Sequence, residues 1–470
     1  MNAVFFNFFY SLQSIVLLFF LIYSGINTLM LILCLLNILK STKESRYRNY
    51  KEILHSPFTT PVTIIVPCYN EEQTISPVVR SLLSLEYNEY EVIVVNDGST
   101  DSTLELLIKD YELSLSQRDY PQSIPTQKIK NIYSSKKYTS LIVLDKENGG
   151  KADALNSGIN ISSCPLVISL DADSIVAKDF LQKHSFPFIS EDDTLIAAGG
   201  VVKVANGCDF NKGHLVREGL PHKFIEMCQV IEYVRSFNAF RIGLSTINSI
   251  LIIPGTLGIF KKDLLLEIGG YDVDTIGEDM EVILRLHKHM KKLKRKYHIS
   301  ILPEVECWTQ VPSQLSHLKH QRIRWQRGLL DCIIKNFTML FNPKHGVLGL
   351  FGMPYYFIFE LLTPLFEMAG VFVVLISIYL NIFYLQFFLT FFTLDIVMGI
   401  FISLCALFID NIRTQTATIR LIHLPKLIFY CVLENFGYRQ LISWWRFLAF
   451  FGYKYKGNNW GAKNRKTFES

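Results

Sequence analysis

At 470 residues the chain is too long for one ordinary domain, and half of it is hydrophobic, with the apolar residues crowded toward both ends. The net charge of +5 is modest, and the basic residues gather at membrane-flanking positions and between Lys288 and Lys296 rather than in a stripe interleaved with aromatics, so nucleic acid is excluded as a partner. Nine cysteines without a CxxC pair or His/Cys spacing exclude a zinc centre and a disulfide framework and read as reduced, mostly buried thiols.

No charged residue precedes Lys40, and the apolar run from Ser11 to Leu39 exceeds the roughly 20 residues needed to cross a bilayer. It lacks the basic start, short apolar core and small-residue cleavage site of a signal peptide. Residues 1–40 are therefore expected to be an uncleaved transmembrane anchor. Lys40, Lys43, Arg46, Arg48 and Lys51 follow, and the positive-inside rule puts the N-terminus outside and the next domain, residues 58–335, in the cytoplasm.

Short β-branched runs at 62–66, 91–95, 141–144 and 167–170 alternate with helical stretches, which predicts an α/β domain with a mostly parallel sheet covered on both faces. The polar stretch between Tyr111 and Tyr138, with Pro121 and Pro125, is expected to be a surface excursion with a little helix. A helical pattern runs from Pro221 to Ile242, and Pro254-Gly255-Thr256-Leu257-Gly258 reads either as a close backbone approach to a ligand or as a plain turn.

Residues 336–451 are expected to be a membrane region with interfacial helices and two to three spans, two of them at about 355–380 and 384–409. The segment 421–451 is apolar but carries Lys426, Glu434, Asn435, Arg439, Gln440 and Arg446. A crossing there would put the basic tail 452–470, with Lys454, Lys456, Lys463, Arg465 and Lys466, outside; an interfacial or re-entrant helix keeps that tail cytoplasmic.

Ligands of parallel sheets sit beyond the carboxyl ends of the strands, so the polar residues just after each run are the candidates for chemistry. Asp171 and Asp173 are one residue apart after an apolar strand, a pattern that suits Mg²⁺ or Mn²⁺ and equally a solvated turn. Asp97 can accept hydrogen bonds from a base or ribose, or close an Asx turn in Asn-Asp-Gly-Ser. Glu278 and Asp279 begin a helix over 278–292, where one can serve as general base, or both as favourable N-terminal charges. Gln321, Arg324 and Trp325 share one helix face offering an amide, a fork of donors for phosphate and a ring for a sugar; a basic amphipathic helix at the membrane surface is the plain alternative. Lys151 follows two glycines but is not followed by Ser or Thr, which excludes a P-loop, and neither a zinc-protease helix nor a Gly-x-Ser-x-Gly elbow occurs.

Taken in order, Val66-Pro67-Cys68-Tyr69-Asn70-Glu71, Asn96-Asp97-Gly98-Ser99, Gly149-Gly150-Lys151-Ala152-Asp153-Ala154-Leu155-Asn156, Asp171-Ala172-Asp173, Gly277-Glu278-Asp279 and Gln321-Arg322-Ile323-Arg324-Trp325 resemble the family 2 glycosyltransferases. The layout is similar to the membrane synthases of poly-N-acetylglucosamine, cellulose, chitin and hyaluronan. The resemblance implies a GT-A catalytic domain that uses a UDP-sugar donor, UDP-N-acetylglucosamine or UDP-glucose, with Mg²⁺ or Mn²⁺, inverting to a β-linkage. It implies nucleotide and diphosphate contacts from Tyr69, Glu71, Asp97, Lys151, Asp171, Gln321 and Arg324, and a metal held by Asp173 with Asp171. Asp279 would be the base, with Glu278 and Trp325 at the acceptor. The motif ending in the base often begins with Thr; Gly277 stands there. The expected partners are the donor, a polysaccharide or lipid acceptor, the bilayer and a small accessory membrane subunit. Transfer of one sugar to a polyprenyl phosphate or diacylglycerol is the second expectation, and a non-catalytic transporter or scaffold the third.

Overall fold

The computed structural model describes residues 3–45, 59–190, 194–380, 385–414 and 417–451; the tail 452–470 and the basic residues Arg46, Arg48 and Lys51 lie outside the described residues. The chain divides into two units, one holding residues 40–45, 59–190, 194–222 and 250–311, the other 3–39, 223–249 and 312–451. Residues 223–249 and 312–335, drawn from the sequence into the catalytic domain, thus group with the helical unit.

The first unit is built on twelve strands: β1 (Val62–Cys68), β2 (Tyr90–Asn96), β3 (Leu113–Leu115), β4 (Ile129–Ser135), β5 (Leu141–Lys146), β6 (Leu166–Ser169), β7 (Ser174–Val176), β8 (Leu195–Val204), β9 (Asp209–Asn211), β10 (His214–Arg217), β11 (Gly258–Lys261) and β12 (His298–Thr309). Ten of them form one sheet in the order β3-β4-β5-β2-β1-β6-β11-β8-β12-β7, and β9 and β10 make a separate hairpin. The four runs read from the sequence are the parallel nucleus β5-β2-β1-β6, each a continuous apolar stretch because helices cover both faces. β8 and β12 are also parallel, whereas the other pairings, at β3-β4, β4-β5, β6-β11, β11-β8 and β12-β7, are antiparallel.

The expected helix between Tyr111 and Tyr138 is replaced by β3 and β4, which extend the sheet at its edge. β3 forms the edge and pairs only with Tyr133–Ser135 of β4, so Lys130 and Asn131 are exposed on the part of β4 that β3 does not cover, and its strand signal in the sequence is weak. Likewise the small-residue segment ends in β11, an antiparallel strand inserted between β6 and β8. Register fixes where chemistry can occur: Cys68 pairs with Asn96 and Asn96 with Asp145, so the loops after β1, β2 and β5 leave the sheet along one edge.

The second unit is helical. Among the described residues two helices are long and apolar enough to cross a membrane, Phe9–Glu44 and Leu385–Arg413, and Leu348–Leu361 with Thr363–Tyr379, bent by 41°, adds a third if it is one span. Pro364 in the first turn of Thr363–Tyr379 marks the bend. The segment expected to be interfacial or re-entrant forms two helices, Ala417–Leu433 and Tyr438–Leu448, with Glu434 and Asn435 fully buried at the break between them. Its charges are paired inside the unit: Glu434 with Arg235, Arg439 with Asp395 at 3.8 Å and Glu367 at 3.9 Å, and Arg446 with Glu360 at 3.9 Å. Pairing is what an ionised group requires among apolar helices.

Candidate active site

The loops after β1 and β2 are stitched together. Asn70, in the left-handed region at φ 55°, donates its N–H to the Ser99 hydroxyl at 3.0 Å and accepts from the Thr100 N–H at 2.8 Å. This holds Tyr69 half-buried at the edge, next to a buried Glu71 whose carboxylate accepts from the Thr74 hydroxyl at 2.7 Å.

Asp97, expected at the nucleotide, is 0% exposed. Its carboxylate receives the Lys146 ammonium at 2.6 Å, the Gly149 N–H at 3.0 Å and the Gly150 N–H at 2.8 Å. A direct nucleotide contact would have to displace one of these donors, because both oxygens already serve the loop after β5. Gly150, at φ 88°, turns that loop into the helix Lys151–Ile161 and so fixes where Lys151 starts.

Lys151 gathers the remaining carboxylates. Its ammonium lies 2.8 Å from Asp171, just past β6, and 3.7 and 3.9 Å from Glu278 and Asp279 on the first turn of the helix Glu278–Leu293. Burial works to lower the pKa of this lysine, but the charges of Asp171, Asp279 and Glu278 outweigh it and hold it well above the ordinary value. Three carboxylates thus converge on one ammonium at the rim of the sheet. Glu281, in the same helical turn, is instead matched to Arg285 at 2.7 Å. Glu278 and Asp279 therefore lie near the lysine as well as favouring the helix N-terminus.

Asp173 is buried beside this group, and β12 closes the other side. Burial, with the charges of Asp171 and Asp173, pushes the Cys307 thiol well above its usual range, so it stays protonated. Burial and then the charge of Asp279 raise the Tyr271 phenol in the same way. Gly277, where the resemblance expects Thr, is the N-cap residue of the helix; its N–H reaches the hydroxyl of Thr275 at 3.4 Å, two residues upstream.

Gln321, Arg324 and Trp325 lie on the helix Leu315–Lys335 of the helical unit, with Arg324 exposed and the other two half-buried. Among the buried positions of this helix are the neighbouring Arg322 and Gln326. Arg322 pairs with Glu232 at 2.8 Å and stacks on Trp325 at 4.3 Å, and Gln326 accepts from Arg446 at 2.8 Å. These two residues, Lys146 and Asp153 were missed in the sequence; an i, i+4 pair of polar residues beside an aromatic was the available signal for the first two.

Residues 63–269 match the family model described as Glycosyl transferase family 2. The chain is 30% identical over 305 residues to a poly-beta-1,6-N-acetyl-D-glucosamine synthase of Staphylococcus aureus (strain COL), covering 64% of this chain and 63% of that protein. The protein of the same description from Staphylococcus epidermidis is 30% identical over 286 residues, 60% of this chain and 58% of its own length. The chain therefore spans less than two thirds of the curated relatives it matches. Among solved structures, a mannosyltransferase from Pyrobaculum calidifontis, in complex with GDP-Man and Mn²⁺, superposes with a TM-score of 0.52 at 18% identity, over 88% of this chain and 99% of its own, and so shows a shared GT-A type fold. Together with the membrane-length apolar helices, these likenesses mark a membrane protein. Residues 63–269 thus carry the match to glycosyl transferase family 2.

Proposed function

We propose that the chain is an inverting membrane glycosyltransferase that moves a sugar from a UDP-sugar to a growing β-linked polysaccharide, with its sheet unit in the cytoplasm. The observation that carries this is Lys151 held among Asp171, Glu278 and Asp279 at the carboxyl edge of a family 2 domain. The description of the staphylococcal relatives favours N-acetylglucosamine as the sugar and a β-1,6 polymer as the product.

In this reading Asp279 takes the proton of the acceptor hydroxyl as its oxygen attacks the anomeric carbon from the face opposite the leaving group. The bond from that carbon to the diphosphate breaks, and UDP departs with the electron pair toward the Lys151 ammonium. Glu278 orients the acceptor, and Tyr69 and Glu71 receive the nucleotide. Gln321 and Arg324 are assigned to the diphosphate and Trp325 to the acceptor sugar on the strength of their motif. Asp97 acts one step back, on the loop that carries Lys151.

Asp171 and Asp173 fit a divalent cation of the Mg²⁺ or Mn²⁺ kind, which takes one or two carboxylates and completes its shell with water and substrate phosphate. Among the described residues no group of three or more His, Cys, Asp or Glu side chains forms a ready cage, and this manner of binding needs none. When bound, the ion would offset charge on the departing diphosphate.

The test is incubation of the full chain in nanodiscs with labelled UDP-N-acetylglucosamine and UDP-glucose, with and without chelator. Long water-soluble products, lost with chelator and restored by Mg²⁺ or Mn²⁺, are expected. Single-sugar products across all donors would end the polymer reading, and label in the organic phase would replace it with transfer to a lipid acceptor.

A further inference from the structure

We propose that Lys146 is a positioning residue for the reaction, a buried cation that locks the Gly149-Gly150 turn and thereby sets where Lys151 can reach. The inference rests on the reading of Lys151 as the partner of the leaving diphosphate.

Lys146 is one of the largest fully buried side chains of the protein, at the end of β5. An ammonium has three donors, and here they meet Asp97 at 2.6 Å, Asp153 at 2.5 Å and the Glu147 carbonyl at 2.6 Å. Lysine is almost never fully buried without such partners, since an isolated charge inside a protein is very costly. The partners come from three different elements: Asp97 follows β2, Glu147 follows β5, and Asp153 lies in the first turn of the helix Lys151–Ile161.

The same two carboxylates shape the glycines. Asp97 accepts the N–H groups of Gly149 and Gly150, and Asp153 packs so closely on Gly149 that a Cβ there would sit 2.6 Å from its carboxylate. Asp153 also accepts the Gln127 N–H at 3.0 Å, which ties the turn to the chain before β4. Lys146 is thus the common counter-charge of the acids that hold the turn from both sides. With its three donors used and no exposed surface, it acts on substrate through Lys151 and not by contact. A charge-assisted network of this kind is rigid when complete and fails when one member is lost.

The experiment compares wild type, Lys146→Met and the triple variant Asp97→Asn/Lys146→Met/Asp153→Asn, all as full chains in nanodiscs. Removing all three charges together keeps a comparison if the single variant does not fold. Hydrogen exchange of the Gly149 and Gly150 amides is expected to rise at least ten-fold in whichever variant retains protection elsewhere in the sheet. Unchanged exchange in such a variant overturns the proposal, whether or not the wild type transfers sugar. Transfer rates then supply a double-mutant cycle: Lys146→Met combined with Lys151→Met should be no slower than Lys151→Met alone. Multiplying losses would mean that Lys146 acts independently of Lys151, which also overturns it. A wild type inactive with every UDP-sugar instead sinks the proposed function and leaves the exchange result to decide the role of Lys146.

Discussion

In the sheet unit one lysine stands among three carboxylates at a partly open rim, with Lys151, Asp171, Glu278 and Asp279 each 19% to 25% exposed. In the helical unit two arginines each meet one acid in a pair with a buried member: Arg235 with Glu434, which is fully buried, and Arg322, itself buried, with Glu232. Both groups are clusters of charged side chains, but their balance differs. Matched, enclosed charges keep a helix packing specific and have nothing left over for a ligand. Several carboxylates gathered on one lysine where water and substrate can reach them are open to a ligand.

The contrast breaks most sharply at Asp279. Asp279→Asn keeps the shape and removes the base, so transfer should fall by about 100- to 10,000-fold while UDP binding, followed by calorimetry, changes little. A variant with near-normal transfer would remove Asp279 from the reaction. In the helical unit the same kind of edit should act on stability instead. Arg235→Met leaves Glu434, which is fully buried, without its cation, at a cost of about 3–5 kcal/mol. Adding Glu434→Met should recover most of that loss in thermal unfolding of the detergent-solubilised protein; no recovery would mean that the pair has a role beyond mutual neutralisation.

The strand-end half of the site was legible because a parallel strand is a continuous apolar run and the first polar residue after it marks the edge, as at Asp97 after β2 and Asp171 after β6. The start of the Glu278 helix was legible from its acidic first turn. Lys146 was not, because a lysine in a sequence reads as solvated. Only the arrival of Asp97, 49 residues earlier in the chain, makes a buried position tenable. The antiparallel additions failed for a similar reason: β4 is only partly covered by the short edge strand β3, and β11 is four residues directly after a Pro-Gly-Thr-Leu segment, so neither shows the alternation that pairing later gives meaning. On the helix Leu315–Lys335, spacing showed that Gln321, Arg324 and Trp325 share a face, but which face is buried depended on Glu232 and Arg446, distant in sequence.

Smaller effects sharpen the same comparison. The backbone of Gly255 lies directly against the Asp279 carboxylate, so that an added Cβ would meet both of its oxygens. Gly255→Ala should tilt the base and lower kcat about ten-fold with little change in donor KM, because a displacement of under 1 Å is enough to spoil a reacting geometry. An equal fall in donor affinity would show instead that the segment shapes the donor pocket. The smallest effect belongs to a charge pair that is neither enclosed nor part of the group around Lys151. Arg217 and Asp209 on the β9-β10 hairpin lie 2.8 Å apart but are 72% and 56% exposed, where water screens the attraction and ordering two long side chains offsets most of the gain. Arg217→Ala should change unfolding stability by less than about 0.5 kcal/mol and leave transfer unaltered. Distance alone, the same 2.8 Å that joins Lys151 to Asp171, therefore does not set what a charge pair contributes; its enclosure does.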